Sequence, residues 1–132
     1  MVKKDPVPIR FPPGKRQAEL FARAVAIAQR FPGVLESRSY GTPAIKVKGK
    51  FLARLRTEAE GGLAIGCNFN ERDLLLMAAP EVFYITDHYI NYPMILVNLE
   101  TVNWDAMTNI IEHAWRMAAT PKMIKEYEGL DA

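Results

Sequence analysis

From Arg16 to Arg30, apolar residues fall at Leu20, Phe21, Val25 and Ile27 with alanines between them, a spacing that predicts an amphipathic helix. Phe31-Pro32-Gly33 stops it, because proline lacks an amide hydrogen and glycine takes the turn conformation. Short alternating runs follow. Glu36–Tyr40, Ala44–Lys48, Phe51–Thr57 and Leu63–Asn68 read as strands, with turns at Gly41-Thr42-Pro43 and over 58–62. Asn70 then caps a short helix running to Ala79, with acids in its first turn. Val82–Thr86 is a fifth strand, Asp87–Pro93 a loop and Met94–Leu99 a sixth strand. Asn103 caps a long helix, Trp104–Ala119, which Pro121 ends, and residues 122–132 form a short helical tail.

Strands that follow one another without long crossovers pair antiparallel. Helices at the start, middle and end cover only part of such a sheet. The expected architecture is therefore α+β, two layers, a six-stranded antiparallel sheet packed by helices with one face open. What that face carries depends on the hairpin between the second and third strands. A three-residue connection, Lys48-Gly49-Lys50, sets Ile45 and Val47 beside Phe51, Ala53 and Leu55, and leaves Lys46, Lys48, Arg54 and Arg56 together on the opposite side. A two-residue connection, the commoner kind, flips the parity and puts Lys46 with Phe51 and Ala53. Hydrophobic alternation favours the first.

The length of 132 residues suits one domain, and 49% hydrophobic residues supply a core. Pro6, Pro8, Pro12, Pro13 and Gly14 make residues 1–15 an extended arm. Residues 16–125 form the domain and 126–132 a tail. No run approaches ~18 apolar residues, which excludes a membrane span, and the charged, proline-rich start lacks the apolar core of a signal peptide. Cys67 is the single cysteine, so no internal disulfide forms and a reducing, cytoplasmic location is expected.

Charge is segregated. The net of +2 divides into +5 over residues 1–35, +5 over 36–57 and −8 over 58–132. An anionic partner for the basic half is one reading; mutual attraction of the halves or separate solvation is the other. A pI of 8.7 is below the values above ~9 typical of a dedicated nucleic-acid domain.

Enzyme chemistry finds little support. One cysteine with His88 and His113 gives no metal-ligand spacing, and no cofactor motif, nucleophile elbow, phosphate loop or dinucleotide fingerprint is present. Cys67 is in phase with Leu63 and Ile65, as a buried small hydrophobe would be. The densest polar cluster is Thr86–Pro93. There His88, Tyr89 and Tyr92 are either a pocket able to move a proton or a loop pinned by tyrosine hydroxyls. Trp104 and Trp115, eleven apart, fall near one helix face and read as core anchors.

Three segments together resemble the MmcQ/YjbR family: Ser39-Tyr-Gly-Thr-Pro-Ala-Ile-Lys-Val-Lys-Gly-Lys-Phe-Leu-Ala-Arg-Leu55, His88-Tyr-Ile-Asn-Tyr-Pro-Met-Ile-Leu-Val-Asn-Leu99 and Ala114-Trp-Arg-Met-Ala-Ala-Thr-Pro-Lys122. Asn98, where an arginine is expected, and the extra Thr120 depart from that pattern. The resemblance implies a YjbR-like fold related to secretion chaperones and a DNA-binding label without a catalytic residue set. The expected function is a non-catalytic DNA-binding domain. Arg38, Lys46, Lys48, Arg54 and Arg56 would neutralise phosphates and Tyr40 or Tyr92 would stack an unpaired base, without sequence specificity. The alternative is a protein-interaction module docking an acidic or extended partner.

Overall fold

A computed structural model describes residues 12–129. Most of the expected arm (1–11) and the last three residues of the tail lie outside the described residues. α1 (Lys15–Ala28) buries Leu20, Phe21, Ala24, Val25, Ile27 and Ala28, the stripe the helical period marks out. β1 (Val34–Ser39), β2 (Thr42–Val47), β3 (Lys50–Leu55) and β4 (Leu63–Gly66) form a meander. α2 (Phe69–Ala78), β5 (Phe83–Tyr84), β6 (Met94–Val97), α3 (Trp104–Ala118) and α4 (Pro121–Gly129) complete the chain. The sheet is six-stranded, in the order β1-β2-β3-β4-β6-β5, with every neighbouring pair antiparallel. The architecture is the expected α+β.

α1 and α3 pack on each other, and α3 lies over β3 and β4. Trp115 of α3 is fully buried there. Its indole N–H donates to the Pro32 carbonyl at 2.8 Å, which satisfies the one polar atom such burial would strand. Its ring lies 5.3 Å from that of Phe31 and 5.2 Å from that of Tyr127, so one side chain joins α3, the turn after α1 and α4. Trp104 is only half-buried and stacks beneath the Arg23 guanidinium at 4.4 Å. Thr120 has a definite local role. Its hydroxyl accepts the Met123 N–H at 3.2 Å, capping α4 just before Pro121.

The β2–β3 connection has two residues, not three. Lys48 (φ 48°) and Gly49 (φ 81°) carry the paired positive φ of a type I′ turn, and Val47 pairs with Lys50. Lys46 accordingly faces Phe51. A bulge then inserts Leu52, after which Ile45 pairs with Ala53 and Ala44 with Arg54. Leu52 and Ala53 both join the helix-side core, and Arg54 returns to the side of Lys46. The extra residue thus reconciles the commoner turn with the hydrophobic alternation. It also leaves the expected set of Lys46, Arg54 and Arg56 on one side of the sheet, with Lys48 in the turn.

That second face is not uniformly open. Over β4 and β6 the 86–93 loop crosses it, burying Tyr89 against Ala64 and Leu96, with Phe51, Tyr84, Ile85 and Met94 around them. The β1–β2–β3 end remains uncovered among the described residues, and Leu35 is exposed there.

Candidate functional site

The site is built where four segments meet on the second face: the β1–β2 turn, the end of β3, the 57–62 loop and the 86–93 loop. Tyr40 and Gly41 form another two-residue turn with positive φ (52° and 78°). A bulky side chain there is strained, and Asn or Gly usually takes that place. Tyr40 nevertheless occupies it, 84% exposed, its ring centroid 5.3 Å from the Arg54 guanidinium carbon.

Arg54 itself is buried. Its Nε donates to the Thr42 hydroxyl at 2.8 Å and to the Ser39 carbonyl at 3.2 Å, and its Nη1 donates to the Tyr89 hydroxyl at 3.2 Å. Thr42, fully buried, passes its own hydroxyl hydrogen to Ser39 at 2.9 Å. The guanidinium therefore fixes the β1–β2 turn against the 86–93 loop. Its remaining Nη2 faces Glu60 Oε1 at a looser 3.7 Å.

Arg56 shares that carboxylate. Its Nη2 lies 3.8 Å from Glu60 Oε2, its guanidinium lies 5.8 Å from the Tyr89 ring, and its Nε is buried with no partner among the described residues. Glu60 is in turn held by Thr57, whose N–H and hydroxyl both donate to Oε1 at 3.2 and 3.0 Å. Partial desolvation pushes the Glu60 carboxyl up. The Thr57 hydrogen bonds and the charges of Arg56 and Arg54 outweigh that push and hold it below the ordinary carboxylate range.

Other expected residues are placed differently. Alternation along β1 puts Arg38 on the side of Val34 and Glu36, away from Lys46 and Arg54. Lys48 is exposed at the hairpin tip and Lys46 half-buried on the strand. His88, Tyr89 and Tyr92 differ in burial. Tyr89 packs into the sheet, whereas His88 and Tyr92 are exposed, and the contact between the His88 and Tyr89 rings is edge-on at 4.6 Å.

Arg72 is the residue that sequence reasoning missed. Buried in α2, it donates through Nη1 to the carbonyls of Tyr92 (2.9 Å), Met94 (3.3 Å) and Tyr89 (3.5 Å), and through Nη2 to that of Ile90 (2.9 Å). One guanidinium thereby ties down the 86–93 loop, and Phe69 stacks on it at 4.8 Å. No local pattern announces this, because the acceptors are backbone atoms 17–22 positions away. Nearby, the fully buried Cys67 thiol donates to Glu71 Oε1 at 3.5 Å, and Glu71 Oε2 meets His113 Nδ1 at 2.6 Å. Burial, then the Glu71 charge and hydrogen bond, push the thiol up to about 12. It is no nucleophile at neutral pH.

Among the described residues no group of three or more His, Cys, Asp or Glu side chains is arranged to hold a metal ion, and no helix is long and apolar enough to cross a membrane. The YjbR family model matches residues 29–117, more than half of the chain. No curated protein and no solved structure matches it significantly.

Proposed function

The chain belongs to the YjbR family, and from that premise we propose that it is a non-catalytic nucleic-acid-binding domain that holds single-stranded segments along its two adjacent hairpins. The observation that carries this reading is Tyr40. An 84% exposed aromatic ring on left-handed backbone carries a cost that its own burial does not offset, and strained residues of this kind cluster at functional sites. Set over Arg54, the ring offers a preorganised surface on which an unpaired base stacks.

Lys46 and Lys48, on the neighbouring hairpin, contact phosphates in this reading, and Arg56 joins them when its guanidinium leaves Glu60. Arg54 acts differently from the sequence expectation: its hydrogen bonds are committed inside the protein, so it braces Tyr40 and does not reach for phosphate. Arg38 lies on the other side of the sheet and plays no part in this surface. The β2–β3 hairpin is too small to read a groove, so affinity is electrostatic and without sequence preference.

Fluorescence anisotropy with a labelled single-stranded oligonucleotide across a salt series tests this. Three phosphate contacts give log affinity falling against log salt with a slope of about −2. The Lys46→Glu/Lys48→Glu variant, shown folded by circular dichroism, should lose most of the affinity and flatten the slope. Undiminished binding by that variant would remove the hairpin from the site.

A protein-interaction module is the second reading. It is favoured by Leu74 (68% exposed) and Met77 (81% exposed), one turn apart on α2. Affinity capture with and without nuclease separates the two. A protein partner retained after nuclease treatment supports the second, and loss of all bound material supports the first.

A further inference from the structure

The sheet ends on unequal edges. β5 has two residues, whereas β1 has six. β1 is thus a full-length strand with one side bonded to β2 and the other unpaired among the described residues. The β1–β2 turn closes at the Ser39–Thr42 pair, so Leu35, Ser37 and Ser39 exchange backbone hydrogen bonds with β2. The Gly33 carbonyl, accepting the Lys48 N–H at 3.2 Å, continues that phase. The N–H and C=O groups of Val34, Glu36 and Arg38 therefore face outward.

The two charges on this edge stand two residues apart on the same side of the strand. Neither Glu36 nor Arg38 forms an ion pair among the described residues, and Arg38 Nε is buried without a hydrogen-bond partner. Edge charges discourage strand pairing where like charges come to face each other, whereas opposite charges at facing positions stabilise it.

We propose that β1 is the docking edge for a second copy of this chain, pairing antiparallel about a two-fold axis through Ser37. In that register Glu36 of each copy lies directly opposite Arg38 of the other. Opposite charges at facing positions stabilise a strand pair, and the contact is isologous, so one patch serves both copies. The outward-facing groups at 36 and 38 then bond to each other, in phase with the hydrogen bonds β1 makes on its inner side. Neighbouring registers are excluded. A one-residue shift puts the outward groups out of phase, and a two-fold at Glu36 sets glutamate against glutamate. A two-fold at Leu35 shortens the ladder and strands both arginines. Because the axis stands normal to the sheet, the Tyr40 and Lys46 surfaces of both copies face the same way. The proposal itself is independent of what those surfaces bind.

Size-exclusion chromatography with light scattering, over a concentration series of the full chain, tests it. Wild type should move from the 14.9 kDa chain mass to twice that mass as concentration rises. Glu36→Arg and Arg38→Glu should each hold the protein at the chain mass, since each sets like charges across the axis. The double reversal Glu36→Arg/Arg38→Glu restores the opposition and should restore the dimer. Hydrogen exchange gives a second readout that needs no variant: the Glu36 and Arg38 amides should gain protection as concentration rises. A wild type monomeric throughout, or a dimer that tolerates both single reversals, would overturn the proposal. So would protection of those amides that does not change with concentration, which would mean residues 1–11 or another segment of the same chain covers the edge.

Discussion

The Tyr89 hydroxyl accepts an N–H from Arg54 at 3.2 Å, so two residues 35 positions apart share a buried contact that joins β3 to the loop crossing the second sheet face. Tyr89→Phe keeps the ring against Ala64 and Leu96 but leaves that N–H without its acceptor. Leaving a buried donor unsatisfied costs about 1–3 kcal/mol, readable as a lower urea midpoint with an unchanged slope. A variant as stable as wild type would mean that water replaces the hydroxyl and the contact is not needed.

Arg72 should be the more sensitive position. Its fork reaches four carbonyls of one loop region, and only a planar guanidinium spans them. Arg72→Lys keeps the charge but loses the fork, and a loss of about 2–4 kcal/mol is expected from several charge-assisted bonds broken together. Hydrogen exchange should show the protection lost first at Tyr89, Tyr92 and Met94, whose N–H groups bond within the loop.

These two arginines also show where sequence reading stops. The two long helices were legible because each buries a periodic stripe: α1 through Leu20, Ala24, Val25 and Ala28, and α3 through Met107, Ile110, Ile111, Ala114 and Trp115. Family membership was legible from the three quoted segments. Burial of Arg54 was not, since an arginine in an alternating strand looks solvent-facing until a loop from elsewhere closes over it. The 86–93 loop does so, with Tyr89 supplying the acceptor.

Turn and cap details failed for more local reasons. Asn68, and not Asn70, caps α2, its side chain accepting the Glu71 N–H at 2.8 Å. Two asparagines two positions apart both carry a capping side chain, and the helix already begins at Phe69, which leaves Asn70 inside it. In the β2–β3 hairpin Ile45 and Val47 share the core side with Ala53 and Leu55 as expected, but Phe51, expected with them, lies with Lys46 on the second face. Alternation does not reveal whether the odd residue sits in the turn or in a bulge, and Leu52 takes the bulge.

Cys67 gives the chain a distinctive alkaline response. Its thiol is pushed up to about 12 by burial and by Glu71, so folding favours the neutral form. The stability this contributes is complete below about pH 8.5, where the unfolded thiol is also protonated, and is lost as pH rises toward the folded value. Wild type should lose stability between pH 9 and 11 relative to Cys67→Ala, whose residue 67 does not titrate. In the native state at pH 8, a thiol reagent should label Cys67 only as fast as the protein opens. Rapid labelling of folded protein would contradict the burial.

Glu60 should restrain binding. Its carboxylate lies 3.8 Å from Arg56 Nη2, the group that joins the phosphate contacts in the proposed reading only on leaving Glu60. Glu60→Gln removes that competing charge, so affinity for an oligonucleotide should rise severalfold, most at low salt. The same carboxyl is held below its ordinary range, so its contribution to stability is present above the unfolded value and fades as pH falls through the lower folded one. The stability difference between wild type and Glu60→Gln should therefore be constant above about pH 5, begin to shrink near about pH 4, the value of a free glutamate, and close only below the lowered folded value.

Tyr40 tests the functional reading most directly, because its cost and its use are separable. Tyr40→Asn places Asn-Gly, the preferred pair for this turn, at a position where tyrosine is strained. Thermal stability should hold or rise, while affinity for single-stranded DNA at ~50 mM salt falls by about 5–150-fold, the equivalent of one lost base stack at about 1–3 kcal/mol. Stability maintained with affinity lost would show that the exposed ring is kept for binding. An equal affinity in Tyr40→Asn, or no binding by folded wild type at that salt, would contradict it.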